Sequence, residues 1–119
     1  TIKQSGVIGV PRAVACNGTT WVIAGGGGII LASTDNGNTW TTKQSGEYGL
    51  DSVACNGSVW VAASAEGTIL VSADNGNTWT TKRSGGSGQS LFGVAYSGNT
   101  WVAVGGSGTI LTSTDIALW

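Results

Sequence analysis

The sequence predicts an all-β fold built from repeated four-stranded antiparallel sheets. Three observations carry this: a segment that recurs at steps of 39 and 41 residues, apolar runs that alternate and stay short, and 21 glycines in 119 residues. Val14-Ala15-Cys16-Asn17-Gly18 returns as Val53-Ala54-Cys55-Asn56-Gly57 and, loosened, as Val94-Ala95-Tyr96-Ser97-Gly98. Trp21-Val22 returns as Trp60-Val61 and Trp101-Val102. Residues 13–46 laid on 52–85 without a gap agree at 23 of 34 positions, well beyond shared composition.

Each unit alternates apolar and polar residues over four runs, a period that suits strands and not helices. In the second unit these runs predict strands near 52–55, 59–64, 68–73 and 78–82. Asn56-Gly57 separates the first two, Glu66-Gly67 the next two, and Asp74-Asn75-Gly76-Asn77 the last two. Asn-Gly suits tight turns because both residues tolerate positive φ, and the pair is expected to do so here. No helix-forming run is long enough for a βαβ crossover, so the sheet is an antiparallel meander. Four such strands at this spacing match the blade of a β-propeller, whereas solenoids of this period are mostly helical.

Composition removes several function classes. Five Lys plus Arg against six Asp plus Glu leave a net charge of −1, so no field draws in nucleic acid or an anionic membrane. No apolar run approaches the roughly 18 residues of a spanning helix, and residues 1–12 lack a signal-peptide layout. The absence of histidine removes the commonest acid–base group and zinc ligand, so neither a cofactor nor a metal is expected. Cys16 and Cys55 occupy equivalent positions, which argues against a mutual bridge, and both are expected as small buried core residues.

Ser33-Thr34-Asp35-Asn36-Gly37-Asn38-Thr39-Trp40 and Ser72-Ala73-Asp74-Asn75-Gly76-Asn77-Thr78-Trp79 both spell S-x-D-x-G-x-x-W. This resembles the Asp-box, or BNR repeat, of sialidase-like, sortilin-like and photosystem II assembly-factor-like propellers. Physically the aspartate accepts backbone N–H groups inside the turn, the glycine takes a left-handed conformation, and the tryptophan buries its ring. Ser33, Asp35, Gly37, Trp40, Ser72, Asp74, Gly76 and Trp79 are therefore read as structural. A third copy keeps Ser113, Asp115 and Trp119 but lacks the glycine and is one residue shorter. The resemblance implies a box between third and fourth strands, on the face opposite the ligand site.

The two complete boxes run on into Trp-Thr-Thr-Lys-x-Ser-Gly, the third stops at Trp119, and the chain opens with Thr1-Ile2-Lys3-Gln4-Ser5-Gly6. The expected organisation is one half-propeller over residues 1–119: blade 1 about 10–46, blade 2 about 47–85 and blade 3 about 86–119. Residues 1–6 of a partner chain would complete blade 3. Since known propellers close with about four to eight blades, the expectation is a homodimer forming one six-bladed ring. A fragment of a longer propeller and a nine-bladed trimer are the alternatives.

In a meander blade the fourth-to-first and second-to-third connections share one face, which the resemblance implies is the ligand side. These segments differ most between units and contribute Arg12, Glu47, Tyr48, Asp51, Glu66, Gln89 and Phe92. Sialidases use an arginine triad, a tyrosine nucleophile with a glutamate partner, and an acidic acid/base. This chain has only Arg12 and Arg83, and Val10-Pro11-Arg12 does not reproduce the family's Arg-Ile-Pro. A two-carboxylate glycosidase would have only Glu47, Asp51 and Glu66 to draw on. No enzyme activity is expected. Two functional readings stay open: a self-assembling scaffold, natural, engineered or reconstructed from a repetitive parent, and a carbohydrate- or protein-binding module. Trp21, Trp60 and Trp101 begin second strands within apolar runs and are expected to pack between blades. Asn17-Gly18-Thr19 and Asn56-Gly57-Ser58 match the glycosylation sequon but lie where a turn needs Asn-Gly.

Overall fold

A computed structural model describes residues 10–44, 49–83 and 90–114. Among the described residues eleven strands fall into three antiparallel sheets. The first sheet is β1 (Pro11–Cys16), β2 (Trp21–Gly25), β3 (Ile30–Ser33) and β4 (Thr41–Gln44), in that order. The second is β5 (Leu50–Cys55), β6 (Trp60–Ser64), β7 (Ile69–Ser72) and β8 (Thr80–Arg83). The third is β9 (Leu91–Ser97), β10 (Thr100–Gly105) and β11 (Ile110–Ser113). The position of a fourth strand in the third sheet, like the completing segment 1–6, lies outside the described residues.

The sheets meet along their first strands, β5 packing against β1 on one side and β9 on the other. Because side chains of a strand alternate between faces, sheet 2 covers both neighbours at once. Trp60, Ala62 and Leu70 join Val22, Ala24, Ile30 and Ala32 of sheet 1 in one core. Val61, Ala63, Ile69 and Val71 join Leu91, Trp101 and Ala103 of sheet 3 in the other. Trp60 is wholly buried and Trp101 nearly so, as the packing expectation requires, whereas Trp21 is only half-buried. The difference is positional: Trp21 lies on the flank of sheet 1 opposite the one that packs on sheet 2, and among the described residues no other sheet covers that flank.

Two expectations are corrected. Asn17 and Asn56 do not take positive φ; only Gly18 and Gly57 do, at 99° and 106°. The asparagines instead close the turn with their side chains, Asn17 Oδ1 accepting from Thr19 N–H and Thr20 N–H, and Asn56 Oδ1 from Ser58 N–H and Val59 N–H. That is the Asx-turn alternative, which needs a short side-chain carbonyl and not a left-handed asparagine. Nor are the cysteines core residues: Cys16 is exposed and Cys55 half-buried. They end the inner strands, where the sheet leaves the packed layer, and Cys55 reaches only the margin of the core between sheets 1 and 2. That partial burial pushes the Cys55 thiol pKa up.

Among the described residues no helix is long and apolar enough to cross a membrane. No group of three His, Cys, Asp or Glu is placed to hold a metal there.

Candidate functional site

The two turns between third and fourth strands have matching geometry. Ser72 Oγ donates to Asp74 Oδ1 (2.9 Å) and accepts from Gly76 N–H (2.9 Å), and Asp74 Oδ1 accepts from Thr78 N–H (2.8 Å). Ser33, Asp35, Gly37 and Thr39 repeat these bonds at 2.8–2.9 Å. The Thr39 and Thr78 hydroxyls bond the other carboxylate oxygens. With the threonine hydroxyl and backbone N–H as the main donors, both aspartates are held down at a pKa of about 2. Asn36 and Asn75 have φ of 63° and 64°, so here Asn-Gly does turn left-handed at both residues. Trp40 and Trp79 are half-buried and tie the turn shut, Nε1 donating to Gly37 O and Gly76 O at 3.1 and 3.0 Å. In the third copy Ser113 is buried, and Asp115 and Trp119 lie outside the described residues.

These turns also join sheets. Asn75 Nδ2 donates to Thr20 Oγ1 (2.8 Å) in the first turn of sheet 1. Asn17 Nδ2 donates back to Asn75 Oδ1 (2.9 Å) and Gly57 O (3.0 Å). Val22 comes within 3.3 Å of where a Cβ on Gly76 would stand, so a side chain there would press on it, and the φ of 86° already favours glycine. This clasp of one sheet by the next was not anticipated from sequence, where Asn17, Thr20 and Asn75 read only as polar turn residues.

On the opposite edge, each inner strand begins with a β-bulge. Pro11 and Ala13 pair with Gly25 and Ala24, Leu50 and Ser52 with Ser64 and Ala63, and Leu91 and Gly93 with Gly105 and Val104. The residues left without a ladder partner are Arg12, Asp51 and Phe92. A bulge re-aims its extra side chain, and the structure thus brings three of the variable-face residues to one level on neighbouring strands. Arg12 Nη1 bonds Asp51 Oδ1 at 2.9 Å, with side chains 44% and 20% exposed. Asp51 Oδ2 is buried without a partner among the described residues. Phe92 is 53% exposed. Glu66 is exposed in the β6–β7 turn, its N–H held by Ser64 Oγ at 3.1 Å. Glu47, Tyr48 and Gln89 lie outside the described residues. Variation between units points to Arg12, Asp51 and Phe92; the bulge that aligns them is visible only once strands are paired.

Three meander sheets arranged about their first strands define a β-propeller. Solved structures bear out this class. YCF48 bound to D1 peptide is similar with a TM-score of 0.85 at 16% identity, over 97% of this chain and 41% of that one. YCF48 from Cyanidioschyzon merolae is similar with a TM-score of 0.76 at 19% identity, over 92% and 39%. The computationally designed Ika4 protein is similar with a TM-score of 0.53 at 14% identity, over 93% and 94%. The chain thus spans about two fifths of the YCF48 chains. No protein-family model matches it, and no curated protein matches it in sequence.

Proposed function

We propose that the chain is a non-catalytic, self-assembling propeller unit whose open flanks join those of a second copy, head to tail, in a six-bladed ring. The observation that supports this is the state of the two outer flanks. Val102, Val104, Ile110 and Thr112 of sheet 3 occupy the positions that Val61, Ala63, Ile69 and Val71 fill in sheet 2. Ile69 and Ala63 are wholly buried, but Ile110 is 68% and Val104 44% exposed. At the other end Val14 is 57% exposed where its counterpart Val53 is buried. Each flank therefore carries the complement of the other, in the pairing that buries sheets 1 and 2. An apolar flank of this kind on a soluble chain marks an association surface. The S-x-D-x-G-x-x-W turns, read as Asp-boxes, serve as structural staples in this proposal. Molar mass in solution tests it: twice 11.9 kDa is expected, and three times that mass or a monomer refutes the six-bladed dimer.

A second reading, in which the ring presents a protein- or glycan-binding face, is favoured by exposed Phe92 at the bulge equivalent to those of the Arg12–Asp51 pair. One similar structure, YCF48, holds a peptide. Titration with peptide and glycan arrays tests this reading, and binding that survives Phe92→Ala and Arg12→Ala counts against these residues.

A further inference from the structure

The Thr20–Asn75 couple of the clasp between sheets 1 and 2 has a counterpart in sequence at the two open flanks, whereas the place of Asn17 is taken there by Ser97. Inside the chain, Thr20 of the earlier sheet accepts from Asn75 of the later one at 2.8 Å. At the next junction the repeat-equivalent positions carry Val59 and Ile116, so the polar couple is replaced on both sides together. At the third junction, the one a second copy would make, the equivalents are Thr100 on the last sheet and Asn36 on the first, and the couple is polar again.

The local geometry matches this. Asn36 has φ 63° beside 64° for Asn75, so it leaves its turn in the same direction. Its Nδ2 has no partner among the described residues, and its Oδ1 accepts only a long bond from Trp21 Nε1, at 3.3 Å. Thr100 Oγ1 donates to Asn99 Oδ1 at 3.2 Å, which leaves its lone pairs to accept. Below the couple, Gly76 is buried under Val22, whereas Gly37 meets only its own Trp40, at 3.7 Å, and Val102, the counterpart of Val22, is half-buried.

We infer that Asn36 of one copy donates its side-chain amide to the Thr100 hydroxyl of a second copy, with Val102 seated over Gly37, and that this latch sets the register in which the copies join. The inference rests on the self-assembly proposed above. A mispaired approach leaves the amide desolvated and unbonded, which gives the latch its selectivity.

The test is a double-mutant cycle on the full chain, reading the dimer dissociation constant by sedimentation equilibrium. Thr100→Val removes the acceptor at nearly constant volume, and Asn36→Gly removes the amide while keeping the left-handed turn. Each single change is expected to weaken the dimer roughly tenfold, and the double change to weaken it no more than the worse single one, because both break the same bond at each of the ring's two junctions. A parallel cycle with Thr20→Val and Asn75→Gly is expected to lower the melting temperature and leave dimer affinity nearly unchanged. Single variants within twofold of the wild type, or losses that multiply in the double variant, overturn the latch while the dimer stands. A wild-type monomer overturns self-assembly itself, and the latch with it.

Discussion

Adding one methyl group at Gly105 is expected to be among the most damaging small changes to this chain. Gly105 pairs with Leu91 where the inner strand bulges, and its backbone is extended, so conformational freedom is not the issue. The constraint is space. A Cβ there would stand 1.6 Å from Ser90 O and 2.6 Å from its carbonyl carbon, more than an ångström inside the closest contact real side chains make. Both obstacles are backbone, so no rotamer relieves them. The strand must move, and it takes with it the Gly106 N–H to Ser90 O bond of 3.1 Å. Overpacking costs about 1–3 kcal/mol and a lost hydrogen bond about 0.5–1.5 kcal/mol, which together place Gly105→Ala at about 1.5–4.5 kcal/mol. For a domain of this size that lowers the melting temperature by roughly 6–18 °C, measured by far-UV circular dichroism as one cooperative transition. The counterpart in sheet 2 is Ser64, whose Oγ accepts from Glu66 N–H and Thr68 N–H at 3.1 Å in a differently wound turn. Grafting Ser64-Ala65-Glu66-Gly67 in place of residues 105–108 is therefore expected to recover most of the loss. A Gly105→Ala chain melting within about 2 °C of the wild type refutes the reasoning.

Three further outcomes are expected. Because Asp35 and Asp74 titrate at about 2 in the fold against 3.8 ordinarily, their contribution is complete above about pH 4 and is lost as pH falls toward 2. Melting temperature against pH should show that acid limb, and the Asp35→Asn, Asp74→Asn double variant should flatten it. Ser72→Ala strands the Gly76 N–H inside the turn and is expected to cost about 1–3 kcal/mol by urea denaturation. Trp60→Ala, opening a cavity in the core between sheets 1 and 2, should cost about 3–5 kcal/mol; Trp21→Ala should cost the isolated chain far less and, under the proposed self-assembly, act on dimer affinity.

Much of the architecture was legible because a repeat states the same structural message three times. The second sheet's strands lie within about two residues of their predicted runs, since Val61, Ala63, Ile69 and Val71 alternate with polar or oppositely facing neighbours. The turn at Asp74–Asn77 was equally legible, each of its residues having one evident job. What stayed hidden were properties of contact between units. Cys16, Cys55 and Trp21 carry the composition of a core, yet their burial depends on which sheet lies beyond them, and periodicity is silent about that. The bulges at Arg12, Asp51 and Phe92 also escaped, because one extra residue in a strand leaves the alternation on either side intact. Asn17 reads as a turn residue or a sequon; its bonds to Gly57 and Asn75 across the junction depend on a neighbour 40 and 58 residues away.

The two faces of each sheet are unlike: one carries tryptophan and leucine, and the other carries neither. Contact between units therefore has a direction, and nothing in the contact itself counts how many units follow one another. Only the angle between successive sheets decides whether such a series bites its own tail or winds on as an open filament. If the proposed ring forms, a substitution that widened that angle slightly, for instance a larger side chain at Ala62 or Ala24, would be expected to trade a bounded particle for a fibre without unfolding a single strand.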